Sequence, residues 1–328
     1  MSLDACQWLA WGLAMTRPPG CGWEELVRES IEKKGAKKRA EICNTMARAA
    51  FHGENSLLQR LIHEVGVELN ERIPLCTPEL EADFILQEAN LGYVTATFLI
   101  LAIYGKQIDT VRLLLEAGCD PDATRAEDEK AALHVAAAVG SDDMVKLLLD
   151  AGAAVDMPEG NGALPLASAC FYGHLKSINL LIAAKSPLQR KSKADSSPPL
   201  NAAVSGNQLA VAKFLLESGA DPNVRSDQGV TPLMLAAQKR QLEMVELLLA
   251  YKANPNLVSR RERDTALIVS SYGMPPVLEI VEALLNSGAD PDIQDSRNKT
   301  AVDWAREWHN EQVVELIERY RRRRGTRD

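Results

Sequence analysis

Apolar triplets recur along this chain at near-constant spacing. Leu113-Leu114-Leu115, Leu147-Leu148-Leu149, Leu180-Leu181-Ile182, Phe214-Leu215-Leu216 and Leu247-Leu248-Leu249 begin 34, 33, 34 and 33 positions apart. Each triplet sits in a helix-length segment that predicts a broad apolar face. A second apolar segment precedes each triplet, fullest in Thr231-Pro232-Leu233-Met234-Leu235-Ala236-Ala237 and echoed in Ala131–Ala137 and Thr265–Ser271. A fixed period near 33 residues means that one supersecondary unit, a pair of helices, is stacked repeatedly.

The punctuation agrees with helix pairs. Thr followed by Pro suits an N-cap with Pro in the first turn. Behind the triplets stand Gly118-Cys119-Asp120-Pro121-Asp122, Gly219-Ala220-Asp221-Pro222-Asn223, Lys252-Ala253-Asn254-Pro255-Asn256 and Gly288-Ala289-Asp290-Pro291-Asp292. Gly ends a helix in a left-handed conformation, Pro prevents its continuation, and Asp or Asn turns the chain outward into a finger. Lys185 and Lys252 occupy the glycine position in two copies, which predicts a strained left-handed residue there if the turn is kept.

With these motifs the chain resembles the ankyrin repeat family. The resemblance implies an all-α solenoid of about eight helix-turn-helix repeats with finger loops and terminal caps. Helix pairs are expected to begin near Asn44, Thr97, Ala131, Leu164, Pro198, Thr231, Thr265 and Thr300. The expected organisation is a helical cap or docking segment over 1–43, a degenerate first repeat over 44–75, an insertion over 76–96 and seven contiguous repeats over 97–328. Gly22–Lys34 and Gly35–Arg48 suit amphipathic helices, and Glu79–Leu91 reads as an acidic helical run. The last repeat ends in Arg321–Arg324, the polar outer face expected of a cap.

Composition narrows the function classes. With 46% hydrophobic and 25% charged residues in 328 positions, the chain can bury a core, and its net charge of −8 speaks against general nucleic-acid binding. No apolar run is long enough to span a bilayer, and Asp4 stands where a secretory leader would be basic. Cys6, Cys21, Cys43, Cys76, Cys119 and Cys170 form no C-x-x-C pair, which predicts reduced thiols in the cytoplasm. The nucleus is the alternative if the Arg-rich tail acts as an import signal.

No phosphate-loop, dinucleotide-binding, nucleophile-elbow or H-E-x-x-H motif occurs. Five histidines, His52, His63, His134, His174 and His309, are scattered, and the resemblance makes His134 and His174 structural. The expectation is a chain with no catalytic residues, no metal and no cofactor, and with no small-molecule substrate. A protein partner is expected instead, bound to the concave face by a chain that is monomeric on its own.

In the ankyrin family the residues just before the inter-helix loop and the fingertips commonly face the ligand. Carried over, those positions include Phe51, Tyr104, Phe171, Tyr172, Tyr272 and Trp308, six of the sixteen aromatics. Two readings compete: interface anchors, or packing between neighbouring repeats. Lys191, Arg225, Arg260 and Arg261 stand on the fingers, where basic side chains would orient an acidic segment. The competing reading is a solvated rim, since Glu262, Asp264 and Asp295 interrupt it. The chain thus reads as a non-enzymatic adaptor, scaffold or stoichiometric regulator. The alternatives are a nuclear regulator acting through basic fingers and tail, or a membrane-surface adaptor using Trp8, Trp11 and Trp23.

Overall fold

A computed structural model describes residues 36–65, 69, 73–74, 95–126, 128–188, 198–272 and 277–324. The early tryptophans, the Glu79–Leu91 run, Lys191 with the rest of its finger, and Gly273–Pro276 lie outside the described residues. Among the described residues sixteen helices follow one another in eight pairs: α1 (Ala36–His52) and α2 (Asn55–Val65); α3 (Phe98–Tyr104) and α4 (Ile108–Glu116); α5 (Ala132–Val139) and α6 (Asp142–Asp150); α7 (Pro165–Tyr172) and α8 (Leu175–Ala183). The series continues with α9 (Pro199–Ser205) and α10 (Leu209–Glu217); α11 (Pro232–Gln238) and α12 (Leu242–Ala250); α13 (Ala266–Ser271) and α14 (Leu278–Asn286); α15 (Ala301–Glu307) and α16 (Glu311–Arg324).

The chain divides into two compact units, Met1–Gly160 and Asn161–Asp328. In the first, α1, α3 and α5 stack in order, and so do α2, α4 and α6. β1 (Ile73–Pro74) and β2 (Thr95–Ala96) form a two-residue antiparallel ladder beside α1. The helix α1 begins at Ala36, ahead of Asn44 and beside the Gly35 start expected for an amphipathic helix, and Cys43, Met46, Ala47 and Ala50 form its buried stripe. In the second unit α7, α9, α11, α13 and α15 stack in order, and α10, α12, α14 and α16 form the other layer. The cores are built from small first-helix residues and from the middle members of the triplets, with Leu148, Leu181, Leu215 and Leu248 at zero exposure.

Local chemistry explains the boundaries. The hydroxyls of Thr97, Thr231, Thr265 and Thr300 accept the N–H of Ile100, Met234, Ile268 and Asp303 at 3.2–3.3 Å. Where Ala131 replaces Thr, Nδ1 of His134 accepts the Ala131 N–H at 3.3 Å, so this histidine is a structural hydrogen-bonder. Asn201 holds the corresponding position after Pro198. It donates to the Val230 carbonyl, but its own Oδ1 has no partner, because proline offers no N–H.

The second helices end on left-handed residues: Gly118, Gly152, Gly219 and Gly288 at φ 88–91°, Lys185 at 67° and Lys252 at 66°. A Cβ placed on any of those four glycines meets nothing within 4 Å. Space is therefore not the constraint, and only the backbone penalty of about 1–2 kcal/mol separates Lys from Gly. Lys252→Gly is expected to stabilise by about 0.5–1 kcal/mol, the rest being lost to the freer unfolded chain. Chemical denaturation of the single variant and of Lys185→Gly checks this.

Two other glycines are required by proximity. Gly105 and Gly206 have φ near −70° and −83°, which any residue tolerates. A Cβ on Gly105 would lie 1.9 Å from the Phe51 carbonyl oxygen, and one on Gly206 1.9 Å from that of Phe171. Each glycine lets the end of one first helix rest on the backbone of the preceding one.

The fingers repeat one device. Asp120, Asp221, Asn254 and Asp290 each accept the N–H of the residue two further on. That next residue then reaches one repeat ahead. Asp122 Oδ1 accepts from Ala154 N at 2.9 Å, Asn223 from Asn254 at 2.7 Å and Asn256 from Asp290 at 2.7 Å.

Candidate interaction surface

Among the described residues no helix is long and apolar enough to cross a membrane, and no three His, Cys, Asp or Glu side chains gather as metal ligands would. Cys119 and Cys170 are buried, which pushes the Cys119 thiol up to about 12, with Asp120 adding to the effect, and raises that of Cys170 as well.

The six pre-loop aromatics share a place in the repeat but not an environment. In the first unit Phe51 is half-buried, edge-on to His52 at 5.2 Å. Tyr104 is also half-buried, and its hydroxyl accepts a 2.8 Å hydrogen bond from Arg125. Arg125 is 1% exposed and holds Asp128 with two more guanidinium hydrogen bonds. Burial pushes the Asp128 carboxyl up, yet Arg125, with help from Lys130, outweighs it and leaves the group below its ordinary range. Lys130 also lies 3.7 Å from the buried Glu159. This polar network absorbs Tyr104 from inside, and Arg125 carries no sequence motif that announces it.

In the second unit Tyr272 is similarly occupied. Its ring lies 5.4 Å from that of Trp304, and its hydroxyl donates to Asp264 at 3.4 Å. Trp304 Nε1 donates to Asp295 at 2.7 Å, while Lys299 and Arg297 stand over the indole at 4.5 and 5.5 Å. Burial, then the neighbouring Asp264, pushes the Tyr272 phenol up to about 12. Burial and Asp295 likewise raise the Asp264 carboxyl above its ordinary value. An acid whose folded-state value is raised costs stability wherever it is ionised, so the cost is present at neutral pH and disappears as pH falls through that value. Asp264→Asn is expected to melt above the parent at pH 8, with the difference closing below the carboxylate range; paired thermal melts across pH test it.

Phe171, Tyr172 and Trp308 are open. They are 42, 49 and 43% exposed, and the Phe171 and Tyr172 rings meet edge-on at 5.0 Å. Tyr172 also stacks on His174 at 6.3 Å. Leu175 and Leu209, each 38% exposed, were not singled out by the sequence because the first residue of an amphipathic helix reads as core. Gln208 places Leu209 in this neighbourhood, since its side chain lies against Gly173, at the turn between α7 and α8.

The basic fingers are partly committed to internal contacts. Arg225 donates to the Val258 carbonyl at 3.2 Å and Arg260 to that of Asp227 at 3.1 Å, each tying one finger to another. Arg261 is exposed.

Stacked helix pairs, left-handed turns after each second helix and linked fingers define a repeat protein of the protein-interaction type. The ankyrin repeat description matches residues 98–191 and 186–259 as three-copy arrays and residues 262–296 as a single repeat, more than half of the chain. The chain belongs to the ankyrin repeat family. It is 33% identical over 167 residues to the tyrosine-protein kinase HTK16 of Hydra vulgaris, covering 50% of this chain and 22% of that protein. It is 28% identical over 260 residues to the ankyrin repeat protein nuc-2 of Neurospora crassa, covering 70% and 24%. The chain thus spans about a quarter or less of the length of either relative. The crystal structure of the human ASB11 ankyrin repeat domain superposes with a TM-score of 0.58 at 24% identity, covering 66% of this chain and 96% of that one, a likeness of fold.

Proposed function

We propose that this chain is a non-catalytic adaptor or stoichiometric regulator that holds a protein partner against the exposed aromatic pair Phe171–Tyr172. The observation that supports the reading is this pair itself: two large rings, 42 and 49% exposed, at the end of a short helix pressed against α9. Rigid aromatics at fixed positions lose little entropy on binding and are typical interface anchors. Tyr104 and Tyr272 serve the scaffold, Trp308 is a further contact on the last repeat, and exposed finger arginines such as Arg261 contribute to the rim.

The test compares proteins captured from native lysate by the wild-type chain, by Phe171→Ala/Tyr172→Ala and by Tyr272→Phe, each with folding checked by circular dichroism. Specific partners are expected to fall about tenfold in the double variant, which corresponds to the loss of about 1.4 kcal/mol, and to persist in Tyr272→Phe. Capture that is unchanged in the double variant overturns the reading.

A further inference from the structure

Resting on the adaptor reading, we infer that the outer edge formed by α8, α10 and the turn after α7 is a docking surface for an acidic protein segment carrying apolar anchors. Its centre is Phe171, Tyr172, Leu175 and Leu209, all exposed, and its charged flank is Lys176 and Lys213, both exposed.

Charge is sorted here against the trend of the chain. Among the described residues from 160 to 216, Lys176, Lys185 and Lys213 are basic and none is acidic, within a protein of net charge −8. Helix termini show the same inversion. The first turns of α4, α6, α12, α14 and α16 carry Asp109, Asp142 with Asp143, Glu243, Glu279 and Glu311, as the positive end of a helix favours. Those of α2, α8 and α10 carry no acid, and of these three only α8 has a lysine, Lys176, in its first turn. A cation there opposes the helix dipole, so local stability does not explain it. Local rules broken in this manner mark functional positions.

The apolar part has a geometric cause. α8 approaches α10 less closely than α10, α12, α14 and α16 approach one another. Leu175 and Leu209 are consequently exposed, whereas Leu242 and Leu278, at the same place in α12 and α14, are half-covered. Lys213 stands one helical turn beyond Leu209 on the exposed side of α10, so cation and apolar anchor present together. Its partner Glu217 lies 3.9 Å away at the far end of the helix, at 52% exposure, where an ion pair holds weakly. An extended or helical acidic segment satisfies both features: its carboxylates meet Lys176 and Lys213 while its apolar side chains cover the ring pair and the two leucines.

The experiment pans a random short-peptide phage library on the full wild-type chain at about 150 mM salt, where exposed charges more than about 8 Å apart are screened. An enriched peptide is then measured by fluorescence anisotropy on wild type, Lys176→Glu/Lys213→Glu and Leu175→Ser/Leu209→Ser. Enriched sequences are expected to be net negative with spaced Leu, Phe or Trp, and affinity to fall about tenfold or more in both variants. The charge variant should melt close to wild type, because the carboxylate that Lys176→Glu puts in the first turn of α8 suits a helix start and offsets the like-charge pair that Lys213→Glu makes with Glu217. No enrichment, neutral or basic consensus peptides, or equal affinity for the charge variant overturns the inference. Tighter binding of duplex DNA or of phosphatidylserine vesicles than of the peptides overturns it too. If lysate capture is lost in Phe171→Ala/Tyr172→Ala but retained in Lys176→Glu/Lys213→Glu, the adaptor reading survives and the acidic partner does not.

Discussion

Replacing Gly206 with alanine is expected to destabilise the second unit by about 3 kcal/mol, the upper range for overpacking a close contact. The φ of −83° makes alanine acceptable in isolation, so helix propensity predicts a neutral or favourable change. The cost arises from one atom. The new Cβ would fall 1.9 Å from the Phe171 carbonyl oxygen, and a backbone oxygen cannot swing aside as a side-chain tip can. α7 and α9 must separate, and the packing around the buried Leu166, Ala169 and Cys170 loosens with them. Gly219→Ala is the control. Its φ is +90° with open space around the Cβ, so its expected cost is confined to about 1–2 kcal/mol of backbone strain. Urea unfolding followed by circular dichroism separates the two, and equal effects would remove the close-approach argument.

The second large effect belongs to the first unit. Arg125→Leu is expected to cost about 2 kcal/mol, because Tyr104 and the half-buried Asp128 lose their hydrogen bonds to the guanidinium together, while Lys130, 3.4 Å from Asp128, still offsets part of its charge. The side chain is 1% exposed and holds Tyr104 and Asp128 at once. Asp128 is held below its ordinary value, so its contribution is present above the unfolded carboxylate value near 4 and is lost as pH falls through the folded one. The gap between wild type and Arg125→Leu should therefore narrow below about pH 4. Arg125→Leu combined with Asp128→Leu should cost less than the sum of the two single changes, since the pair is coupled directly. A gap that is constant across pH would show that Arg125 acts through packing alone.

What could be read from sequence followed the range of the forces involved. Helix starts at Thr97, Thr231, Thr265 and Thr300 and stops at Gly118, Gly219 and Gly288 depend on atoms within a few positions, so their letters sufficed. Even the two lysines at glycine positions kept the predicted left-handed turn. The fate of the pre-loop aromatics was not legible. Tyr104 and Phe171 occupy the same slot, but one is claimed by Arg125, 21 positions away, and the other faces water. The finger arginines were read as a free rim because nothing local reveals that Arg225 and Arg260 reach backbone carbonyls 33 positions away. Leu175 and Leu209 escaped notice because their exposure depends on the separation of α8 from α10, a property of stacking.

The forward-reaching finger side chains make the array editable by the copy. Asn223 grips the backbone of Asn254, and Asn256, the same residue 33 positions on, grips that of Asp290 by the same atom. Excising residues 224–256 would bring Asn223 to the place Asn256 now holds, facing an N–H of the same kind. Such a chain gains and loses length in whole repeats without inventing a new joint, so its reach can change while the rules that build it do not.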